Sequence, residues 1–152
     1  MTLRRFTSVD DLTEALGEPI GPGPWIAIGQ ERVDTFAACT GDDQWIHVDP
    51  DRAASGPYGT TIAHGYLTLS LLPRLGRDLY TLEFGTARIN YGSNKVRFPA
   101  AVRTGTRVRA VAIPLALSTE GSRALLTVSW SVENEDGGKP ALVAETLTAI
   151  ML

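Results

Sequence analysis

Ala63-His64-Gly65-Tyr66-Leu67-Thr68-Leu69-Ser70-Leu71-Leu72-Pro73-Arg74-Leu75-Gly76-Arg77-Asp78-Leu79-Tyr80 decides the fold, because no other stretch of the chain is both long and apolar at helical spacing. Tyr66, Leu67, Leu69, Leu71, Leu72, Leu75 and Leu79 cover more than one helical stripe, the pattern of a helix buried on most of its circumference. Pro73 lacks the amide proton and its ring crowds the carbonyl one turn earlier, so it bends or interrupts that helix.

Downstream the character changes. Lys95 to Phe98, Thr106 to Leu117, Arg123 to Glu133 and Ala141 to Leu152 are rich in Val, Leu, Thr and Ala, and Gly105, Glu120-Gly121 and Asp136-Gly137-Gly138 punctuate them. They predict an antiparallel meander. A long antiparallel sheet must cover its apolar face, and the segment from Ala63 to Tyr80 is the element available to do so, which predicts an α+β wrap of sheet around helix.

Upstream, Ser8 to Gly17 predicts a short peripheral helix with Ser8 as its cap. Trp25 to Ile28 predicts a short strand. Gln30 to Thr40, with Val33, Phe36, Ala37 and Thr40 on one face, predicts a second helix that runs out at Gly41-Asp42.

With 152 residues, 43% of them hydrophobic, the chain has apolar material for one sizeable core, and residues 1–152 read as a single domain. A net charge of −3 gives no footprint for neutralising phosphates, which argues against nucleic acid as a partner. Cys39 is the only cysteine, so an internal disulfide and a multi-cysteine metal site are excluded, and no metal is expected. No stretch approaches the length that crosses a bilayer; the expected location is the cytoplasm.

Three segments carry polar groups of chemical interest. In Thr40-Gly41-Asp42-Asp43-Gln44-Trp45-Ile46-His47-Val48-Asp49-Pro50, Asp42 and His47 stand five residues apart in a glycine-opened loop. An aspartate and a histidine bracketing one water make an acid/base unit; a solvated surface pair has the same spacing. In Ile62-Ala63-His64-Gly65-Tyr66, Gly65 opens the apolar helix, whose unpaired N–H groups can stabilise a developing oxyanion; close packing against a neighbouring strand would equally call for a glycine there. His64 reads as a hydrogen-bonded structural histidine in preference to a second catalytic one. In Ile89 to Pro99, Lys95 and Arg97 fall on one side of a strand, where they can meet substrate phosphates or simply face solvent. No phosphate-binding glycine loop, dinucleotide fingerprint or HExxH is present, and no bound cofactor is indicated.

Taken together, Thr40-Gly41-Asp42-Asp43-Gln44-Trp45-Ile46-His47-Val48-Asp49, Ile62-Ala63-His64-Gly65, Asn90-Tyr91-Gly92 and Lys95-Val96-Arg97-Phe98-Pro99 resemble the MaoC-like, (R)-specific enoyl-CoA hydratases, in particular the nodulation protein N-like branch. The resemblance covers most of the chain from about Gln30 onward. It implies a hot-dog fold, a homodimer whose sheets join edge to edge, and reversible hydration of a 2-enoyl-CoA to an (R)-3-hydroxyacyl-CoA. Asp42 and His47 would activate the water and the Gly65 N–H would receive the thioester oxygen. Substrate contacts are expected at Gln44, Tyr66, Asn90, Tyr91 and Gly92, with Lys95 and Arg97 toward the phosphates; coenzyme A is part of the substrate, not a cofactor. Two departures stand out: Gln44-Trp45 replaces the Asn-Pro of many members, and Pro73 occupies the position of a helix serine in some relatives, with Ser70 nearby but not aligned. The rival readings are an acyl-CoA thioesterase, which shares the fold, and a non-catalytic acyl-CoA-binding partner subunit of a heteromeric dehydratase.

Overall fold

The computed structural model describes residues 2–152; Met1 lies outside them. In chain order the elements are β1 (Arg4–Phe6), α1 (Val9–Glu14), β2 (Ile26–Ala27), α2 (Gln30–Thr40), α3 (Trp45–Val48), α4 (Pro50–Ala54), α5 (Gly65–Ser70), α6 (Leu72–Gly76), β3 (Tyr80–Leu82), β4 (Ala87–Arg97), β5 (Arg107–Glu120), β6 (Arg123–Asn134) and β7 (Leu142–Met151).

The alternation read in the second half produces the main sheet. Along β6 every second residue, from Ala124 through Leu126, Val128, Trp130 and Val132 to Asn134, is buried, so one face of the strand points wholly inward. Gly121-Ser122 turns β5 into β6, pairing Glu120 with Arg123, and β6 runs antiparallel into β7. The five-stranded order is β2-β5-β6-β7-β4. The meander expectation therefore holds for β5, β6 and β7 but not for β4, which joins the far side of β7 instead of its sequence neighbour β5. Alternation reports which face a strand buries and carries no information about which edge it joins.

The segment from Ala63 to Tyr80 is not one helix. It forms two short ones meeting at Leu71, and Tyr80 already belongs to β3, which pairs in parallel with β1. Pro73 explains the break: it sits in the first turn of α6, where a missing amide proton is harmless, but inside a continuous helix it would have removed a hydrogen bond. Leu67, Leu72, Leu75 and Leu79 are buried in the same core as Leu126, Val128, Trp130, Val132, Leu142 and Ile150. Tyr66, counted in the apolar face, is 68% exposed.

At the periphery, Ser8 accepts a hydrogen bond from the Asp11 amide and caps α1, which ends at Glu14, short of Gly17. The strand expected over Trp25 to Ile28 is reduced to Ile26 and Ala27, paired with Val108 and Arg107. Among the described residues no helix is long and apolar enough to cross a membrane.

Leu79 has no exposed surface and belongs to the central core. Leu79→Ala is expected to lower unfolding free energy by about 2–5 kcal/mol, measured by urea denaturation; a loss under about 1 kcal/mol would contradict this account of the core.

Candidate active site

Gly41 adopts a left-handed conformation (φ 75°) that side chains rarely take, and it ends α2 with its amide bonded to the Ala37 carbonyl. The chain thereby turns sharply and presents Asp42 at the exposed surface immediately beyond the helix. Contrary to the loop expectation, His47 is committed to packing: it lies on the helical turn α3, its amide bonded to the Gln44 carbonyl at 2.9 Å, and it is 8% exposed.

Two bonds tie α3 to the segment that leads into α5. The Ile62 amide donates to the Ile46 carbonyl (2.9 Å), and His47 Nδ1 donates to the Ile62 carbonyl at 2.6 Å. A carbonyl only accepts, so the second bond places the proton on Nδ1 and leaves Nε2 as a lone pair. Behind this contact, Gln30 Nε2 donates to the His47 carbonyl (2.7 Å) while its Oε1 accepts from the Thr61 hydroxyl. The Thr104 hydroxyl and amide both donate to the Thr61 carbonyl at 2.9 Å. Ile62 also bridges to Arg103, so the carbonyl that orients His47 is held by the strand region in front of β5.

His64 completes the cluster. Its ring stacks on His47 with centroids 3.8 Å apart and planes 24° apart, and its Nε2 donates to the Asp42 carbonyl at 2.8 Å. The structural reading of His64 thus finds its hydrogen bond. Asp42, His47 and His64 each offer a ligand atom, and these lie within 4.8 Å of one another. Imidazoles that share one metal ion aim their in-plane lone pairs at a common point; stacked rings hold theirs in nearly parallel planes, so the arrangement suits proton transfer better than metal coordination.

Burial holds the His47 pKa below its usual 6.5, and His64 adds to that lowering; the Ile62 carbonyl and the Asp42 carboxylate oppose it. The net direction keeps the imidazole neutral at neutral pH, with Nε2 free to take a proton.

Gly65 is the first residue of α5, so its amide has no acceptor within the helix. A β-carbon built there would lie 2.9 Å from the Phe98 ring, just past the end of β4, and the close-packing reading of this glycine therefore describes a real contact. Phe98 also meets Tyr66 edge-on, with centroids 5.8 Å apart. Of the remaining expected contacts, Gln44 precedes α3 and is exposed, whereas Asn90, Tyr91 and Gly92 gather at a cleft of about 710 Å³ beyond the C-terminal end of α5, with Leu72, Pro73 and Trp130 also on its walls. Lys95 and Arg97 are exposed on β4 and do not line this cleft; among the described residues neither pairs with a carboxylate. Sequence reasoning missed Ile62, Gln30, Thr61 and Thr104. The first acts through its backbone, which has no signature in a side chain, and the others are brought together from three separate segments.

Residues 11–120 match the family model described as a MaoC like domain. The chain is 53% identical over 146 residues to 3-hydroxyacyl-thioester dehydratase Z of Mycobacterium tuberculosis, an alignment spanning 95% of this chain and 97% of that protein. It is 40% identical to nodulation protein N of Rhizobium leguminosarum bv. viciae over 94% of this chain and 91% of that one. Among solved structures, the (R)-hydratase from A. caviae involved in PHA biosynthesis superposes with a TM-score of 0.65 at 27% identity, covering 85% of this chain and 96% of that one. The MaoC-like dehydratase from Rhodospirillum rubrum shares the fold with a TM-score of 0.75 at 20% identity, over 94% and 95% of the two chains. The five-stranded antiparallel sheet curled around α5 and α6 is a hot-dog fold, and the chain belongs to the MaoC-like dehydratase family, as a hydro-lyase.

Proposed function

We propose that this protein catalyses the reversible hydration of a trans-2-enoyl-CoA to an (R)-3-hydroxyacyl-CoA, with Asp42 and His47 as its acid/base pair. The observation that carries the reading is the tautomer of His47: with Nδ1–H committed to the Ile62 carbonyl, Nε2 is the basic nitrogen, and it belongs to a cluster that includes the Asp42 carboxylate. Support for the substrate class comes from the relatives, one named as acting on 3-hydroxyacyl thioesters and one as an (R)-hydratase.

In this reading Asp42 and His47 hold one water between them. His47 Nε2 takes a proton from it as the oxygen bonds to C3, and the pair returns a proton to C2, so that one C–O and one C–H bond replace the C=C π bond. Negative charge that gathers on the thioester oxygen is met by the amide of Gly65. The six residues of α5 span about 9 Å at the usual helical rise, which separates this end from the cleft walled by Leu72, Pro73 and Trp130. That cleft takes the acyl portion, and Asn90, Tyr91 and Gly92 contact it there. Gln44 and Tyr66 flank the reacting end, and Lys95 and Arg97 face the phosphates of the coenzyme.

The active form is a homodimer joined across β4, and the chain acts as a single domain in the cytoplasm. β4 has 11 residues, no strand on its outer side among the described residues, and Ile89 and Tyr91 exposed at 54% and 61%. So long an unpaired edge is a template for a second strand, and a two-fold pair of identical edges satisfies both copies.

Asp42→Asn and His47→Gln are each expected to lower turnover of crotonyl-CoA by at least about a hundredfold while circular dichroism stays unchanged. The assay follows enoyl-thioester absorbance and free thiol in parallel. Loss of absorbance without thiol supports hydration; thiol release would move the assignment to a thioesterase, and full activity in either variant would remove the pair from the mechanism.

Because the folded His47 pKa is lowered, hydration is expected to persist below pH 6.5 and to fall only as pH drops through that lowered value, read as the acid limb of kcat/KM. The same shift favours folding above pH 6.5, a contribution lost as pH falls through the folded value. An acid limb above 6.5 would contradict the assignment of His47. Light scattering is expected to return twice the 16.3 kDa chain mass; a monomer at assay concentration would remove the β4 pairing.

A further inference from the structure

The acid/base pair consists of one exposed and one buried residue on different elements, and nothing in the mechanism above explains what fixes their separation. Asp42 follows a glycine in a left-handed turn, and among the described residues its own amide has only a long contact, 3.4 Å, to the Thr40 hydroxyl. A carboxylate on such a turn would sample several positions unless its backbone were anchored elsewhere.

The anchor is His64. It is 2% exposed, and its ring meets Phe36 of α2 at a centroid distance of 5.0 Å and stacks on His47 of α3 at 3.8 Å. Its Nε2–H reaches 2.8 Å to the Asp42 carbonyl, the shortest side-chain bond from another element to that residue among the described residues. The other ring nitrogen, Nδ1, is buried and has no hydrogen-bond partner among the described residues. A buried polar atom left unpaired is costly, so a histidine placed only to fill space would be less favourable than a leucine of similar volume. Its ring is retained here together with a donor aimed at Asp42 and a face laid on His47.

We infer that His64 is the positioning residue of the pair, setting the distance and orientation of Asp42 relative to His47 by holding the Asp42 backbone and the His47 ring at once. This rests on the acid/base reading given above. A displacement of about 1 Å in a reacting group costs on the order of a hundredfold in rate, which sets the scale of the effect. Asp42 and His64 are the titratable groups acting on His47, so loss of His64 also removes one of the influences that lower its pKa.

The test compares His64→Leu, which keeps volume and removes the donor, with His64→Gln, whose amide nitrogen can stand where Nε2 stands. His64→Leu is expected to lower kcat on crotonyl-CoA by roughly tenfold to a hundredfold with KM within about threefold, and to move the acid limb of kcat/KM toward 6.5. His64→Gln is expected to lose less than fivefold. In an Asp42→Asn background His64→Leu should cost no more than about threefold further, because the spacing it sets matters only while the Asp42 carboxylate is there to be placed against His47. Equal losses in the Leu and Gln variants, a Leu variant within threefold of wild type, or full additivity with Asp42→Asn would each overturn the inference. Should His64→Leu fail to fold, the Gln variant decides alone: a loss under fivefold supports the role and a larger one, or failure of both to fold, removes it. Full activity of Asp42→Asn by itself would instead bring down the acid/base reading, an outcome distinct from an additive double variant.

Discussion

The bond from His47 Nδ1 to the Ile62 carbonyl is the contact on which the site depends. It joins the helical turn after α2 to the extended segment ahead of α5, and it selects which imidazole nitrogen carries the proton. Without it the Nδ1–H tautomer would not be held, and Nε2 would not be fixed as the lone-pair nitrogen. Its acceptor is a backbone atom, so the bond survives any side-chain change at position 62 that leaves the backbone in place. What makes it rigid is the layer behind it, where Gln30, Thr61 and Thr104 satisfy one another and clamp both ends of the contact.

This arrangement also accounts for an exposed aspartate standing beside a buried histidine. Asp42 stays in contact with solvent, while His47 gives up most of its hydration and is held neutral by burial. Desolvation would ordinarily leave a polar ring unsatisfied; here one nitrogen is bonded, and in the proposed reading the other is the one that takes a proton. Burial lowers the His47 pKa while the bond that fixes its tautomer works against that lowering, and burial prevails, so the imidazole is unprotonated near neutral pH.

The fold was legible where burial has a period. The alternation through Arg123 to Glu133 marks the inward face of β6, and the apolar run after Ala63 marks the element that the sheet encloses. Pairing was not legible: β4 joins β7 because of where the connections cross, and no residue of β4 records that choice. The interruption expected of Pro73 divides the span from Ala63 to Tyr80 into α5 and α6, whereas the apolar spacing runs on past the end of α6 and does not mark where helix ends. At the site, Asp42 and His47 were visible through their spacing and their family pattern. Their mutual geometry was not, because it is imposed by Ile62 and His64 from 15 to 22 residues away and by backbone carbonyls with no sequence signature.

The two departures from the family pattern fall in places where the structure can absorb them. Gln44 stands just before α3 and supplies its carbonyl to the His47 amide, a role that any residue with this backbone conformation fulfils. Trp45 packs under the Arg52 guanidinium at 4.4 Å, linking α3 to α4 in a way a proline could not. Pro73 exchanges a hydroxyl for a helix start, and by beginning α6 there it shapes the wall of the cleft without touching the cluster of Asp42, His47 and His64. Both changes therefore act around the cluster of Asp42, His47 and His64, one on the rigidity of the turn that carries His47 and the other on the shape of the cleft.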